Sequence, residues 1–306
     1  MSSVISSHSP DAVSQAVSVL NAGGLVGLPT ETVYGLAARA DIDYAVASIF
    51  RAKGRPTGHP LILHISDISD LDRYAVDVPP TALTLARHCW PGPLTLLLHK
   101  TNAVSHLVTG GRETVAIRIP ANEIATQIIE QCGHALAAPS ANLFGHVSPT
   151  TAQHVMNDLG DSVDLVVDDG DCTIGVDSTI VDFTTAQPQI LRPGGFPAED
   201  LESIIGQQIL MPSGESRASG MLASHYAPQC TVVLVQTIAE AKQALSEHDN
   251  ARILEHWDNS PLYAASLYTQ MRQADSDGMT AIIAVLPNES GLGLAIRDRL
   301  NKASFL

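Results

Sequence analysis

Residues 25–40 read LVGLPTETVYGLAARA, and this stretch decides how the chain is parsed. LVGL (25–28) is a short apolar run of the kind that forms a buried strand. Pro29 ends it, and a turn carrying Thr30, Glu31, Thr32 and Tyr34 follows. Upstream, Ser9-Pro10-Asp11 reads as a helix start, with a capping hydroxyl and proline at the first helical position. Val13, Ala16, Val17 and Leu20 recur at helical spacing, and Gly23-Gly24 closes the helix. Downstream, DYAVASIFRAKG (43–54) reads as a second helix that ends in cations and a glycine. Helix, strand, polar turn and helix in this order set the pattern for an α/β fold.

The pattern continues outward. LILHI (61–65), LTLLL (94–98), TVAIRIP (114–120), ALAAP (135–139), DLVVDD (164–169), STIVDF (178–183) and QILRPG (189–194) have the length and apolarity of strands. Helices are expected over 79–89, 122–132, 150–159 and 197–205, giving a twisted mixed sheet with flanking helices. Residues 206–230 lose periodicity and fill with turn formers, which marks a linker. Strands at 231–235, 252–256 and 281–287 then alternate with helices near 237–247, 262–274 and 293–303. The expected organisation is therefore a large α/β domain (1–206), a linker or lid (207–230) and a small Rossmann-like α/β domain (231–306).

Composition removes several classes. The chain has 306 residues with 45% hydrophobic, ample for packed cores. The net charge of -15 disfavours a general electrostatic grip on nucleic acid, which needs clustered Lys and Arg. No apolar run reaches the ~18–20 residues of a membrane span, and the start MSSVISSHSP lacks the layout of a signal peptide. Four widely spaced cysteines with no C-x-x-C pair look like reduced thiols, which points to the cytoplasm and away from a zinc site. P-loop, H-E-x-x-H and G-x-S-x-G motifs are absent.

A few residues stand out against that acidic background. Arg51, Lys53 and Arg55 fall within five positions. They read either as a complement to the helix macrodipole or as a phosphate-binding turn, because Lys53 and Arg55 flank Gly54 and precede Pro56. Arg118 lies in the middle of TVAIRIP, where an arginine is costly unless paired. It reads as half of a buried ion pair or as an anchor for a carboxylate or phosphate. Arg192 in ILRPGG repeats the logic at a strand end. His64 in LILHI, taken alone, reads as a core histidine. APSANLFGHVSPT (138–150) sets Ser140, Asn142 and Ser148 on a loop after a strand, with Ser148-Pro149 resembling a helix cap.

In order, GGLVGLPTETVYGL, KGRPTGHPLILHI, WPGPLTLLL, TVAIRIP, APSANLFGHVSPT, GVDSTIVD and ILRPGG resemble the YrdC-like threonylcarbamoyl-AMP synthases. The linker SGMLASHYAP and the C-terminal stretch resemble the long form, which carries an extra domain. The resemblance implies a YrdC-like sheet and an enzyme that condenses L-threonine, bicarbonate or CO2 and ATP, with Mg2+ accompanying ATP. It releases pyrophosphate and supplies a downstream transferase acting on tRNA. It also implies an L-threonine site of Thr32, His64, Arg118, the backbone at Ala138, and Ser178. The ATP site would comprise Arg55, His59, Thr114, Ser140, Asn142, Ser148 and Arg192, with Lys53 nearby and Tyr226 closing over the nucleotide. No protein-held metal is implied.

Two positions depart from the family pattern. His59 stands where asparagine is usual, which makes that contact pH-sensitive. ASGM replaces Ser-Pro-Gly-Met in the linker, which loosens the expected lid. Two other readings share the fold. One is a non-catalytic RNA- or nucleotide-binding module, which the acidic charge opposes. The other is the carbamoyl-transfer unit of hydrogenase maturation, whose acylphosphatase region and cysteine-rich fingers are not visible here.

Overall fold

In the computed structural model, which describes residues 3–211, 218, 220 and 226–304, two sheets carry the chain. The strands of the first are β1 (Ser3–Ser6), β2 (Val26–Leu28), β3 (Gly35–Arg39), β4 (Ile62–His64), β5 (Ala75–Val76), β6 (Leu94–Lys100), β7 (Thr114–Arg118), β8 (Leu136–Ala137), β9 (Leu165–Asp168), β10 (Thr179–Asp182) and β11 (Gln189–Arg192). Their order is β1-β9-β2-β3-β8-β4-β7-β6-β10-β11, with β5 beside β6. Parallel pairs (β4 with β7, β6 with β10) alternate with antiparallel ones (β6 with β7, β10 with β11), so the sheet is mixed.

Its helices are α1 (Ala12–Asn21), α2 (Asp43–Lys53), α3 (Leu71–Tyr74), α4 (Pro80–Cys89), α5 (His106–Thr109), α6 (Glu123–Cys132), α7 (Ala152–Leu159) and α8 (Ala198–Ile205). Apolar faces drive them onto the sheet: Ala16 and Leu20 of α1 share a core with Ile128 and Ile129 of α6 and with Leu28 of β2. The second sheet is small and wholly parallel. It comprises β12 (Thr231–Val235), β13 (Ala251–Ile253) and β14 (Ala281–Val285) in the order β12-β14-β13. Helices α9 (Ile238–Glu247), α10 (Ser260–Ser276) and α11 (Leu292–Ala303) complete that unit. Among the described residues, no helix is long and apolar enough to cross a membrane.

The two units share a core. Tyr263, Leu267, Tyr268 and Met271 of α10 are buried with Val33, Val147, Val176 and Tyr226. Gly175 shows how tight this seam is. Its φ is +73°, and a Cβ there would lie 2.4 Å from the carbonyl oxygen of Ala265 on α10.

The structure corrects three local readings. Helix α1 begins at Ala12, two residues later than a Ser9 cap would place it, and Ser9 supplies only its backbone carbonyl to the Ala12 N–H. Helix α7 begins at Ala152, capped by the Thr151 side chain accepting from the His154 N–H, so Ser148 is not a cap. Residues 35–39 form β3 and not a continuing turn, because this Gly-Leu-Ala-Ala-Arg segment is covered on both faces and shows no two-residue alternation. Residues 212–217, 219 and 221–225, which include most of the SGMLASHYAP linker, lie outside the described residues. So does the altered ASGM segment apart from Ala218 and Gly220.

Candidate active site

The mixed sheet brings strand ends together around one cavity. The turn after β2 supplies Thr30 and Thr32, β4 supplies His64, and β7 supplies Arg118. The loop after β8 supplies Ala138 and Ser140, and the segment leading into β10 supplies Asp177 and Ser178. Arg192 comes from the end of β11. Arg55, Gly220 and Tyr226 also line the cavity. Cavities at strand ends of open α/β sheets are the usual ligand sites of such folds.

The polar turn is self-braced. The Thr30 hydroxyl donates to the Val33 carbonyl at 2.6 Å and accepts from the Thr32 and Val33 N–H groups at 3.2 Å. That holds Thr32 so that its hydroxyl receives Nη1 of Arg118 at 2.8 Å. Arg118 also donates through Nε to the Gly92 carbonyl at 3.1 Å, and its Nη2 lies 2.7 Å from Oε2 of Glu31. Both readings of Arg118 therefore hold in part: it is a buried ion-pair partner, and it lines the cavity. His64, on the neighbouring strand, pairs in register with Arg118. Burial, and then the Arg118 charge, push its pKa down to about 3, so the ring is neutral near pH 7.

On β10 and β11 the pattern is different. Arg192 donates from Nε and Nη2 to the Ser178 carbonyl at 3.1 and 2.9 Å, and from Nη2 to the Ser178 hydroxyl at 3.1 Å. That hydroxyl in turn bonds Thr95 at 2.7 Å. Nη1 of Arg192 lies 3.6 Å from Oδ1 of Asp177. Tyr226 adopts φ +61° and stacks on Tyr268 of α10 with ring centroids 5.7 Å apart. Gly220 lies against it: a Cβ there would come within 2.6 Å of the Tyr226 hydroxyl.

All five residues expected to bind an amino acid, Thr32, His64, Arg118, Ala138 and Ser178, line this one cavity. Of the nine expected around the nucleotide, Arg55, Ser140, Arg192 and Tyr226 line it, whereas Lys53, His59, Thr114, Asn142 and Ser148 do not. Lys53 is fully buried. Its ammonium donates to the carbonyls of Ser140, at 2.6 Å, and of Asn142. It ties the end of α2 to the 140–142 loop, an arrangement neither reading of the basic cluster contained. Asn142 is likewise internal, its amide donating to the Leu143 and His146 carbonyls at 2.8 Å each.

The Ser148 hydroxyl is buried with no protein partner, while its carbonyl accepts from Arg272 at 3.2 Å. His59 packs on Phe144 with centroids 5.3 Å apart, and the Arg55 guanidinium lies 5.6 Å from the same ring. Burial lowers the pKa of Arg55 to about 10, which leaves it a cation at neutral pH. Thr114 starts β7, opposite His99. Sequence reading missed Glu31 and Asp177 as partners of the two strand arginines, although both lie inside quoted motifs. It missed Tyr268 and Arg299 altogether.

Three arginines and two hydroxyl-rich turns around one cavity, beside a second domain that shares its core with the cavity region, mark a two-domain α/β protein whose cavity suits a small anionic ligand. The family model described as telomere recombination (Sua5, YciO, YrdC) matches residues 18–194, and the model described as threonylcarbamoyl-AMP synthase, C-terminal domain, matches residues 196–304. The threonylcarbamoyl-AMP synthase of Pyrococcus abyssi is 40% identical, over 94% of this chain and 93% of the relative. That of Bacillus subtilis is 38% identical, over 98% and 94%. The crystal structure of P. abyssi Sua5 complexed with L-threonine superposes with a TM-score of 0.93 at 37% identity, covering 99% of this chain and 97% of that one. The chain belongs to the threonylcarbamoyl-AMP synthase family, in its long form with a C-terminal domain.

Proposed function

We propose that this chain condenses L-threonine, bicarbonate or CO2, and ATP into threonylcarbamoyl-adenylate, releasing pyrophosphate. The observation that carries the reading is the convergence of Thr32, His64, Arg118, Ala138 and Ser178 on the cavity that also holds Arg55 and Arg192. In this reading Arg118 and Thr32 receive the amino-acid carboxylate. Arg55, Ser140 and Arg192 face the phosphates, and Tyr226 covers the nucleotide.

The threonine amine attacks CO2, a C–N bond forms, and the ammonium proton leaves to solvent. A carbamate oxygen then attacks the α-phosphorus, and the bond to pyrophosphate breaks. Such chemistry needs positioning and charge neutralisation more than a protein base. His64, neutral near pH 7, serves as a hydrogen-bonding wall and not as a cation. ATP enters as its magnesium complex, because Asp177, the carboxylate of the lining, is already engaged by Arg192, Arg299 and Tyr268. The adenylate then passes to a threonylcarbamoyl transferase acting on tRNA. A cytoplasmic setting fits four buried, unpaired thiols.

Pyrophosphate release from MgATP tests this, with L-threonine, L-serine or no amino acid, and with or without bicarbonate. Release that requires both threonine and bicarbonate is expected. Release indifferent to threonine would assign the cavity to another nucleotide-dependent reaction. Binding of MgATP without release would favour a non-catalytic binding module.

A further inference from the structure

The small domain reaches the cavity through one buried cluster. Arg299, on α11, is fully buried. Its Nε donates to Oδ2 of Asp177 at 3.2 Å, and its Nη2 donates to the Pro193 carbonyl at 2.9 Å. Its Nη1 pairs with Asp298, and its guanidinium lies 4.8 Å from the Tyr226 ring centroid. Tyr268, on α10, donates its hydroxyl to the same Oδ2 of Asp177 at 2.8 Å. The far oxygen of Asp177 is the one that faces Arg192, at 3.6 Å. So two donors from the second domain engage one oxygen of Asp177, and Arg192 meets the other across a longer gap.

Charge decides what this arrangement does. A fully buried arginine is a poor way to gain stability, since apolar residues of similar volume often do as well or better. It does, however, fix where neighbouring charges point. Without Arg299, Asp177 would keep its negative charge beside Arg192 and lose the cation that engages its Oδ2. Arg192 would then be neutralised by the protein and would offer less to an anionic ligand. Arg299 also grips the carbonyl of Pro193, the residue that follows Arg192, so it sets both the backbone and the counter-charge of that arginine.

We infer that Arg299 and Tyr268 are positioning residues of the active site: they hold Asp177 from the second domain so that Arg192 faces the phosphates of the nucleotide. This rests on the reading above that the cavity takes ATP. It gives the small domain a role within the site, distinct from recognising a ligand of its own.

The full-length chain tests this by titration calorimetry with MgATP and, separately, with L-threonine. Arg299→Met should weaken MgATP roughly tenfold, because it removes a charge-assisted bond and a cation together, and Tyr268→Phe about threefold, because it removes one hydrogen bond to the carboxylate and leaves the cation in place. Threonine affinity should stay within about twofold, because Arg118 is held inside the first domain. Adding Asp177→Asn to either variant removes the charge that competes for Arg192 and should recover most of the lost MgATP affinity. A merely structural role would weaken both ligands together and would not be rescued.

Equal losses for both ligands, no loss in either single variant, or no recovery with Asp177→Asn would overturn the inference. If Arg299→Met does not fold, the Tyr268→Phe pair carries the test alone. The readout needs no turnover, so wild-type protein that binds MgATP yet releases no pyrophosphate sinks the synthase reading and leaves this one open to its own result. Wild-type protein that does not bind MgATP would overturn both.

Discussion

Arg118 and Arg192 are both strand arginines of one cavity, yet they are held in different ways. Arg118 takes its counter-ion, Glu31, from the polar turn of its own domain, and its hydroxyl partner Thr32 comes from the same turn. Arg192 faces Asp177, whose other oxygen is engaged by α10 and α11 of the second domain. One corner of the cavity is complete within the first sheet, and the other is finished from outside it. The difference suggests why a short C-terminal domain with a wholly parallel three-stranded sheet shares its core with the cavity region.

The largest effect should come from breaking the self-contained corner. Arg118→Ala removes the ion pair to Glu31 and the bond to Thr32 together. Threonine-dependent pyrophosphate release should fall at least a hundredfold in kcat/KM for threonine, about 3 kcal/mol of lost transition-state binding. The KM for ATP should move far less. Arg192→Ala should show the reverse split, with the ATP KM raised more than the threonine KM, which shifts only through Ser178, the residue that Arg192 also holds. If both variants raise both KM values equally, the two corners are not separate sites, and the comparison fails.

A second effect centres on His64 of the Arg118 corner and is read in stability. His64 is buried, and its folded pKa, about 3, lies below the ordinary histidine value of about 6.5. Below pH 6.5 the unfolded chain takes up a proton that the folded chain does not. The unfolded state therefore gains, and stability is lost as pH falls from about 6.5 toward 3. The slope approaches ~1.4 kcal/mol per pH unit from this group alone. His154, pushed down to about 4 by burial and by Arg272, adds in the same direction. Urea midpoints between pH 7 and pH 5 should decline in the wild type and decline less in His64→Gln. Parallel declines in the two proteins would remove His64 as the cause.

How much of this was legible in the sequence follows from what a linear pattern can hold. Arg118 and Arg192 stood out because an arginine in an apolar run needs an explanation, and both line the cavity. Their counter-ions did not stand out, because Glu31 and Asp177 are ordinary carboxylates until the sheet order brings them alongside. Strand β3 was hidden because Gly35, Ala37 and Ala38 are buried without alternation. Ser148 looked like a cap because Ser-Pro is a common helix start, yet Thr151 caps α7 and leaves the Ser148 hydroxyl inside. From its sequence context Lys53 reads as a complement to the helix dipole or as a phosphate ligand. Its actual partners are loop carbonyls far along the chain, which no local pattern encodes. Arg299 and Tyr268 were invisible for the same reason, since nothing in a helix sequence says which domain its buried face will meet.

The smallest effect tests the Arg192 side from its rim. His59 packs on Phe144, on which Arg55 also lies, and it does not line the cavity. Burial, then the charges of Arg55 and Arg112, lower its pKa below the ordinary histidine value. Near pH 7.5 it is therefore neutral, and His59→Asn should change the KM for ATP by no more than about twofold. Once pH falls far enough below the ordinary histidine value for the ring to take up a proton, His59 gains a positive charge beside Arg55, which asparagine cannot do. The wild type should then hold ATP better than His59→Asn, by a factor that grows as pH falls. The gain should stay modest, because a partly exposed charge is screened. A ratio of KM values that stays flat from pH 8 to pH 5.5 would place His59 outside the reach of the phosphates. The nucleotide corner would then consist of Arg55, Ser140 and Arg192 with the second domain behind them.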